Sequence, residues 1–86
     1  MKENELKKII KTKNKEINWY LPDNNSIDWT ILPPHEEGDE YKISVQISSL
    51  NIHESYSSYD PILSIGLLSN RVIAHIERRN SLKIAS

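Results

Sequence analysis

Thirteen isoleucines dominate the apolar residues of this chain and most strongly limit the folds open to it. Eight leucines, two valines and no phenylalanine make up most of the remainder. Isoleucine is β-branched and loses side-chain freedom in a helix, so this composition favours strands. A length of 86 residues leaves room for one hydrophobic core. We therefore expect one domain spanning residues 1–86, with a sheet at its centre.

Alternating apolar and polar residues predict the first strands. Tyr41–Ser48 alternates throughout, and Ile27–Ile31 does the same, which is typical of strands with one buried face. Pro33-Pro34 ends the first of these strands, because proline has no N–H to donate to a sheet. The charged segment His35–Glu40 lies between the two strands. The sequence therefore predicts an antiparallel hairpin with an acidic tip.

Residues 3–18 have the spacing of an amphipathic helix, with apolar residues at i, i+3, i+4 and i+11. These positions are Leu6, Ile9, Ile10 and Ile17. We expect Trp19 and Tyr20 to pack the end of this helix onto the sheet, and Trp29 to lie on the inner face of its strand. Turn-forming residues over 21–26 end the unit.

A second hairpin is predicted over Ile62–Glu77, turning at Ser69-Asn70, because this register makes one face entirely apolar. Asn51–Asp60 is polar and predicts a loop or irregular crossover. The tail over 81–86 is left open between a short strand and a frayed end. The expected fold class is α+β, with an N-terminal amphipathic helix packed on an antiparallel sheet of about four strands. The predicted order is α-β-β-β-β.

The charges are unevenly distributed along the chain. Residues 17–60 contain eight acidic residues and only Lys42 as a basic one, a net charge of 1 − 8 = −7. Residues 1–16 and residues 61–86 each carry a net charge of +3. A patch of one sign steers association with a partner of the opposite sign. This pattern favours a protein-binding role.

Several function classes lack support in the sequence. The absence of cysteine excludes disulfides, thiolate metal sites and thiol nucleophiles, and it favours a reducing, cytoplasmic environment. No apolar run approaches the ~20 residues that span a bilayer, and the N-terminus lacks the core of a signal peptide. His35, His53 and His75 have no metal-ligand spacing, and no catalytic motif is present. We therefore expect no enzyme, no metal, no cofactor and no membrane contact.

Nucleic-acid binding has one supporting feature, a lysine-rich helix. Its lysines could contact phosphates, although they also form the ordinary solvated side of an amphipathic helix. No nucleic-acid motif accompanies them, and the acidic middle of the chain would repel a long duplex. A nucleic-acid-associated or antitoxin-type regulator is therefore the alternative rather than the leading hypothesis.

Two acidic segments carry a likeness to a known class. His35–Tyr41 (HEEGDEY) and Asn51–Asp60 (NIHESYSSYD), in a small cysteine-free chain, resemble the immunity proteins of bacterial toxin systems. The resemblance implies a protein that neutralises a basic toxin domain, often a nuclease, by covering its active site. The predicted partner-binding residues are Glu36, Glu37, Asp39, Glu40, Glu54, Tyr56, Tyr59 and Asp60.

A third hypothesis concerns the edges of the predicted sheet. An exposed edge at Ile27–Ile31 or at the C-terminal strand could extend a partner's sheet or pair two copies of this chain. A homodimer through an edge strand is therefore also open.

Overall fold

The computed structural model describes residues 2–21 and 26–85, with side chains described for 4–21 and 26–79. Two helices and a three-stranded antiparallel sheet confirm the α+β class. Residues 22–25 of the predicted turn over residues 21–26 lie outside the described residues. The elements are α1 (Lys2–Trp19), β1 (Asp28–Leu32), β2 (Tyr41–Ile47), β3 (Ile52–Ser58) and α2 (Pro61–Ala85).

The predicted hairpin is confirmed. β2 is the central strand of the sheet and pairs antiparallel with β1 on one side and with β3 on the other. Trp29 lies opposite Val45, and Ile31 lies opposite Ile43, so the apolar residues of β1 and β2 share the inner face. Trp29 packs against the core from this face, as its alternation with polar neighbours predicts.

The prediction of a loop over Asn51–Asp60 is wrong, because residues 52–58 form β3 and pair with β2 along its whole length. A short 3₁₀ turn, Ser48–Leu50, connects the two strands. Asn51 follows it with φ of 55°, a left-handed conformation that asparagine tolerates better than most residues. The Asn51 N–H donates to the Ser48 carbonyl at 3.1 Å and closes the turn.

The prediction of a second hairpin over Ile62–Glu77 is also wrong, because these residues lie in the continuous helix α2. Helix α2 also includes residues 81–85, so this part of the tail is helical rather than a short strand or a frayed end. The described sheet therefore has three strands rather than about four, in the order α-β-β-β-α. The buried positions of α2 recur every three or four residues and are Pro61, Ser64, Ile65, Leu68, Ser69, Val72 and Ile76.

Both helices lie on the inner side of the sheet. Helix α2 packs on β2 and β3, and α1 packs on α2. The buried side chains form one cluster to which all elements except β1 contribute, and β1 packs against it through half-buried residues. The cluster consists of Leu6, Ile17, Leu21, Ile43, Val45, Ile47, Ile52, Ile65, Leu68, Val72 and Ile76.

Helix α1 is attached to the sheet through one polar contact as well as through the core. The indole Nε1–H of Trp29 donates to Oδ1 of Asn14 at 2.7 Å, which links α1 to β1. The burial of Leu6 and Ile17 confirms the predicted apolar face of α1. Trp19 is 86% exposed, so the expectation that it packs the helix end onto the sheet is wrong.

Candidate protein-docking surface

One end of the sheet brings together segments that are distant in the sequence. Tyr41, the first residue of β2, lies opposite Ser58, the last residue of β3. The loop over residues 33–40, which joins β1 to β2, therefore lies at the same end as Tyr59 and Asp60. Helix α2 begins there too, with Pro61.

Four exposed carboxylates occupy the loop at this end. Two hydrogen bonds fold the loop back on itself: the Asp39 N–H donates to the Glu36 carbonyl at 3.1 Å, and the Glu36 N–H donates to Oδ2 of Asp39 at 3.3 Å. Gly38 has φ of 95°, which glycine adopts without strain. We define the acidic end as the following six residues: Glu36, Glu37, Asp39, Glu40, Tyr59 and Asp60.

The loop carboxylates have no cationic partner among the described side chains. The ion pairs among these side chains join Lys13 to Glu16 and Arg71 to Glu54, and the ring of His75 lies 3.4 Å from the Glu54 carboxylate. The negative charge of residues 36–40 is therefore directed toward solvent. A charge cluster of this kind keeps its full attraction for an incoming cation at low salt.

Exposed apolar side chains gather at the same end of the sheet. Tyr59 is 69% exposed and Leu63, in the first turn of α2, is 59% exposed. Leu32 and Ile62 are also exposed. These four are among only six large apolar side chains that are exposed in the described part of the chain. Aromatic and aliphatic groups beside charges are typical of protein interfaces.

A shallow depression of about 370 Å³ adjoins the loop. Asp39 and Glu40 line one part of it, and Lys42 and Ser57 line another. Leu32, the Pro33-Pro34 pair and His35 complete the wall. A lysine or arginine side chain from a partner would find the Asp39 and Glu40 carboxylates and an apolar wall for its methylene stem on the loop side of this depression, away from Lys42.

Glu54 and Tyr56, two of the predicted partner-binding residues, lie elsewhere. Both are on the inner face of β3, beneath α2, and both are half-buried. The Glu54 carboxylate lies 3.8 Å from Arg71 and 3.4 Å from His75, and the Arg71 guanidinium lies 5.6 Å from the centre of the Tyr56 ring. His75 belongs to α2 and not to a strand, as the predicted second hairpin required. This arrangement occupies Glu54 and Tyr56 within the molecule.

Asp60 lies at the acidic end and also caps α2. Its Oδ1 accepts hydrogen bonds from the backbone N–H groups of Ile62 at 3.1 Å and Leu63 at 3.3 Å. Proline at the next position suits the first turn of a helix, because its missing N–H would have no partner there. Asp60-Pro61 is thus a helix-start signal that the sequence contains.

Leu32, Ile62 and Leu63 are the exposed apolar residues at this end of the sheet that sequence reasoning missed. Leu32 falls after the alternating segment Ile27–Ile31, and Leu63 belongs to the apolar face of the strand that the sequence predicts within Ile62–Glu77. Reading Asp60-Pro61 as the start of a helix would have put Leu63 in its exposed first turn.

Other chemical features of the described residues are few. No three histidine, aspartate or glutamate side chains among them come close enough to hold a metal ion together. Within the same residues, neither helix combines the length and the apolar character needed to cross a bilayer. Comparison with protein-family models, with curated proteins and with solved structures gave no match.

Proposed function

We propose that this chain is a protein-binding module whose acidic end docks on a basic partner protein. The observation that carries the proposal is the coincidence of two features at one end of the sheet. Four exposed carboxylates with no ion-pair partner among the described side chains lie there, together with Tyr59 and Leu63 as exposed apolar anchors. Charge speeds and orients the encounter, whereas buried apolar and aromatic groups supply most of the affinity.

We further propose that the partner is a toxin domain with a basic active-site groove, as in bacterial toxin–immunity pairs. The exposed loop over residues 33–40 is the part of the acidic end that would enter such a groove. Glu36, Glu37, Asp39 and Glu40 would meet its arginine and lysine side chains. Docking of this kind blocks the groove to substrate and requires no catalytic group in this chain.

Binding suits these carboxylates better than acid–base chemistry does. Carboxylates that act as acid and base in enzymes are set apart by burial in an apolar environment. All four loop carboxylates are exposed instead.

The test uses the product of the reading frame that lies next to this one in its native genome. Glu36→Lys/Glu37→Lys should slow association about tenfold or more at 20 mM salt, because steering by a charged patch is worth at least that much. The effect should shrink at 300 mM salt, where screening is stronger. Stopped-flow or biosensor association rates measure both quantities.

A matched control separates local charge from net charge. Glu5→Lys/Glu77→Lys changes the net charge by the same amount at two exposed positions outside the acidic end. It should slow association much less than the loop variant does. Equal association rates for the loop variant and the unmodified chain, at both salt concentrations, would remove the acidic end from the proposal.

One structural observation supports a second candidate function, nucleic-acid binding through α1. Lys8, Lys11 and Lys15 are exposed along one face of the helix, and the 86% exposed Trp19 continues this face by one turn. Lysines contact phosphates and an indole ring stacks on an unpaired base. The candidate therefore favours single-stranded nucleic acid over a duplex.

A further inference from the structure

Strand β3 has an unpaired edge. In the described part of the chain the sheet order is β1-β2-β3, so the side of β3 that faces away from β2 has no neighbouring strand. The edge at β1 is shorter, with five residues, and is followed by Pro33-Pro34. By contrast, β3 has seven residues and contains no proline or lysine, and its one inward-pointing carboxylate, Glu54, is paired with Arg71 of the same copy.

We propose that two copies of this chain pair antiparallel through β3, with a two-fold axis that passes through Ser55. Such an axis, perpendicular to the sheet, keeps the inner face of one copy continuous with the inner face of the other. Residues that face each other then have numbers that sum to 110, which pairs all seven residues of β3. Ile52 lies opposite Ser58, His53 opposite Ser57, and Glu54 opposite Tyr56, with Ser55 opposite itself.

The neighbouring registers are less favourable. An axis through Glu54 places two carboxylates directly opposite each other, which is destabilising. An axis through Tyr56 leaves Ile52 and His53 without partners in the second copy. The register through Ser55 keeps every cross-strand pair free of like charges.

The side chains above β3 are complementary across this axis. The Arg71 guanidinium lies over the ring of Tyr56 and 3.8 Å from the Glu54 carboxylate of its own copy. In the proposed pair, Glu54 of the second copy lies opposite Tyr56, with Cβ atoms about 5 Å apart. Each Arg71 therefore lies between two carboxylates, one from each copy, and the two-fold axis repeats the arrangement.

The pairing joins the two sheets into one of six strands. Because the paired strands run antiparallel, the acidic ends of the two copies point in opposite directions. Each copy would then keep its acidic end free for a partner. The dimer does not depend on the proposed docking function, and either proposal stands if the other fails.

Cysteine cross-linking tests the register, because the natural chain contains no cysteine. Ser55→Cys should form a disulfide-linked dimer with oxidised glutathione, since facing residues in antiparallel strands have Cα atoms about 4.5–5.5 Å apart, within disulfide range. His53→Cys is the matched control on the same outer face. Its two copies would lie four residues apart along the strands, about 13 Å, which is beyond disulfide reach.

Sedimentation equilibrium tests the dimer without oxidation. The unmodified chain should sediment at twice its monomer mass of 10.0 kDa. Ser55→Lys should return it to the monomer mass, because two ammonium groups would face each other at the axis. Thr30→Lys, an exposed position on the other edge strand, should leave the dimer intact.

Two results would overturn the proposal. One is a monomer mass for the unmodified chain up to several hundred micromolar. The other is equal cross-linking of Ser55→Cys and His53→Cys. A circular dichroism spectrum of each variant establishes that it is folded before its mass or cross-linking is compared.

Discussion

Asp60 combines a structural contact with a place in the proposed docking surface. Its carboxylate accepts two backbone N–H groups at the start of α2. Asp60→Ala should lower the free energy of unfolding by about 1 kcal/mol, the usual cost of losing a capping side chain. Urea denaturation monitored by circular dichroism measures the change.

Asp60→Asn is the control for this prediction, because asparagine keeps the capping oxygen and removes the charge. It should unfold at nearly the same urea concentration as the unmodified chain. If Asp60→Ala is as stable as Asp60→Asn, the cap contributes nothing to stability. If Asp60→Asn keeps its stability, a slower association of this variant with a basic partner is caused by the lost charge alone.

Two buried serines explain much of why the helix α2 could not be predicted from the sequence. The Ser69 hydroxyl donates to the Ile65 carbonyl at 2.8 Å, and the Ser64 hydroxyl donates to the Asp60 carbonyl at 3.3 Å. Ser64 is also hydrogen-bonded to Ser58 at the end of β3. These bonds allow polar residues to occupy the core-facing side of a helix. A sequence pattern that counts only apolar residues as buried passes over both serines.

At the level of the elements, α1 and the β1–β2 hairpin were predictable and α2 was not. The alternation of Leu63, Ile65 and Leu67 fits a strand, and Ser69-Asn70 fits a turn. If Ser64 and Ser69 are counted as buried residues, the same segment fits the buried face of a helix equally well. Length would have decided between them, because 25 residues without glycine-rich or proline-rich interruption are typical of a helix.

Strand β3 was missed for a different reason. Its inner face carries Glu54 next to Tyr56, at a position where a strand pattern requires an apolar residue. Their partner on α2, Arg71, is at least 15 residues further along the chain, so no local pattern contains it. Pairing with β2 and cover from α2 together make this polar segment a strand, which shows tertiary context outweighing sequence preference.

The hydrogen bond between Asn14 and Trp29 is the clearest polar link between α1 and the sheet. A double-mutant cycle with Asn14→Ala and Trp29→Phe should give a coupling free energy of about 1 kcal/mol, as expected for one half-buried hydrogen bond. The cycle cancels the effects of helix propensity and ring size, which each single variant includes. Thermal or urea unfolding of the four chains supplies the numbers.

The control cycle pairs Asn14→Ala with Trp19→Phe. Trp19 is on the same helix and is 86% exposed, so its coupling to Asn14 should be close to zero. Equal coupling in the two cycles would mean that the bond to Trp29 does not hold α1 against the sheet.

Across the whole molecule, the charge segments of the sequence predicted only part of the candidate site. Four of the eight acids in residues 17–60 lie together in one exposed loop, as predicted. Glu54 lies half-buried on the inner face of β3, 3.8 Å from Arg71 and 3.4 Å from His75, and Asp28 lies at the far end of the sheet. Asp23 lies outside the described residues. Net charge along a segment does not reveal which carboxylates the fold itself uses.

The arrangement of charge also predicts how the chain behaves toward nucleic acid. The acidic end and the lysines of α1 belong to one elongated molecule, 50 × 19 × 18 Å. A long duplex on α1 would be repelled by the acidic end, so duplex DNA should bind more weakly than about 100 μM at 150 mM salt. Fluorescence anisotropy at two salt concentrations measures this binding.

Single-stranded RNA should be titrated in the same experiment, with Lys8→Glu/Lys11→Glu as the variant. Micromolar binding with a steep salt dependence that is lost in this variant would support nucleic-acid binding through α1 as the function.

The two tryptophans occupy contrasting environments, and this makes them independent optical reporters. Trp19 is open to water, whereas Trp29 is half-buried with its indole N–H bonded to Asn14. In a Trp19→Phe chain, the emission spectrum would follow the separation of α1 from β1 alone. In a Trp29→Phe chain, iodide quenching of the remaining indole would show when the end of α1 becomes covered by another molecule.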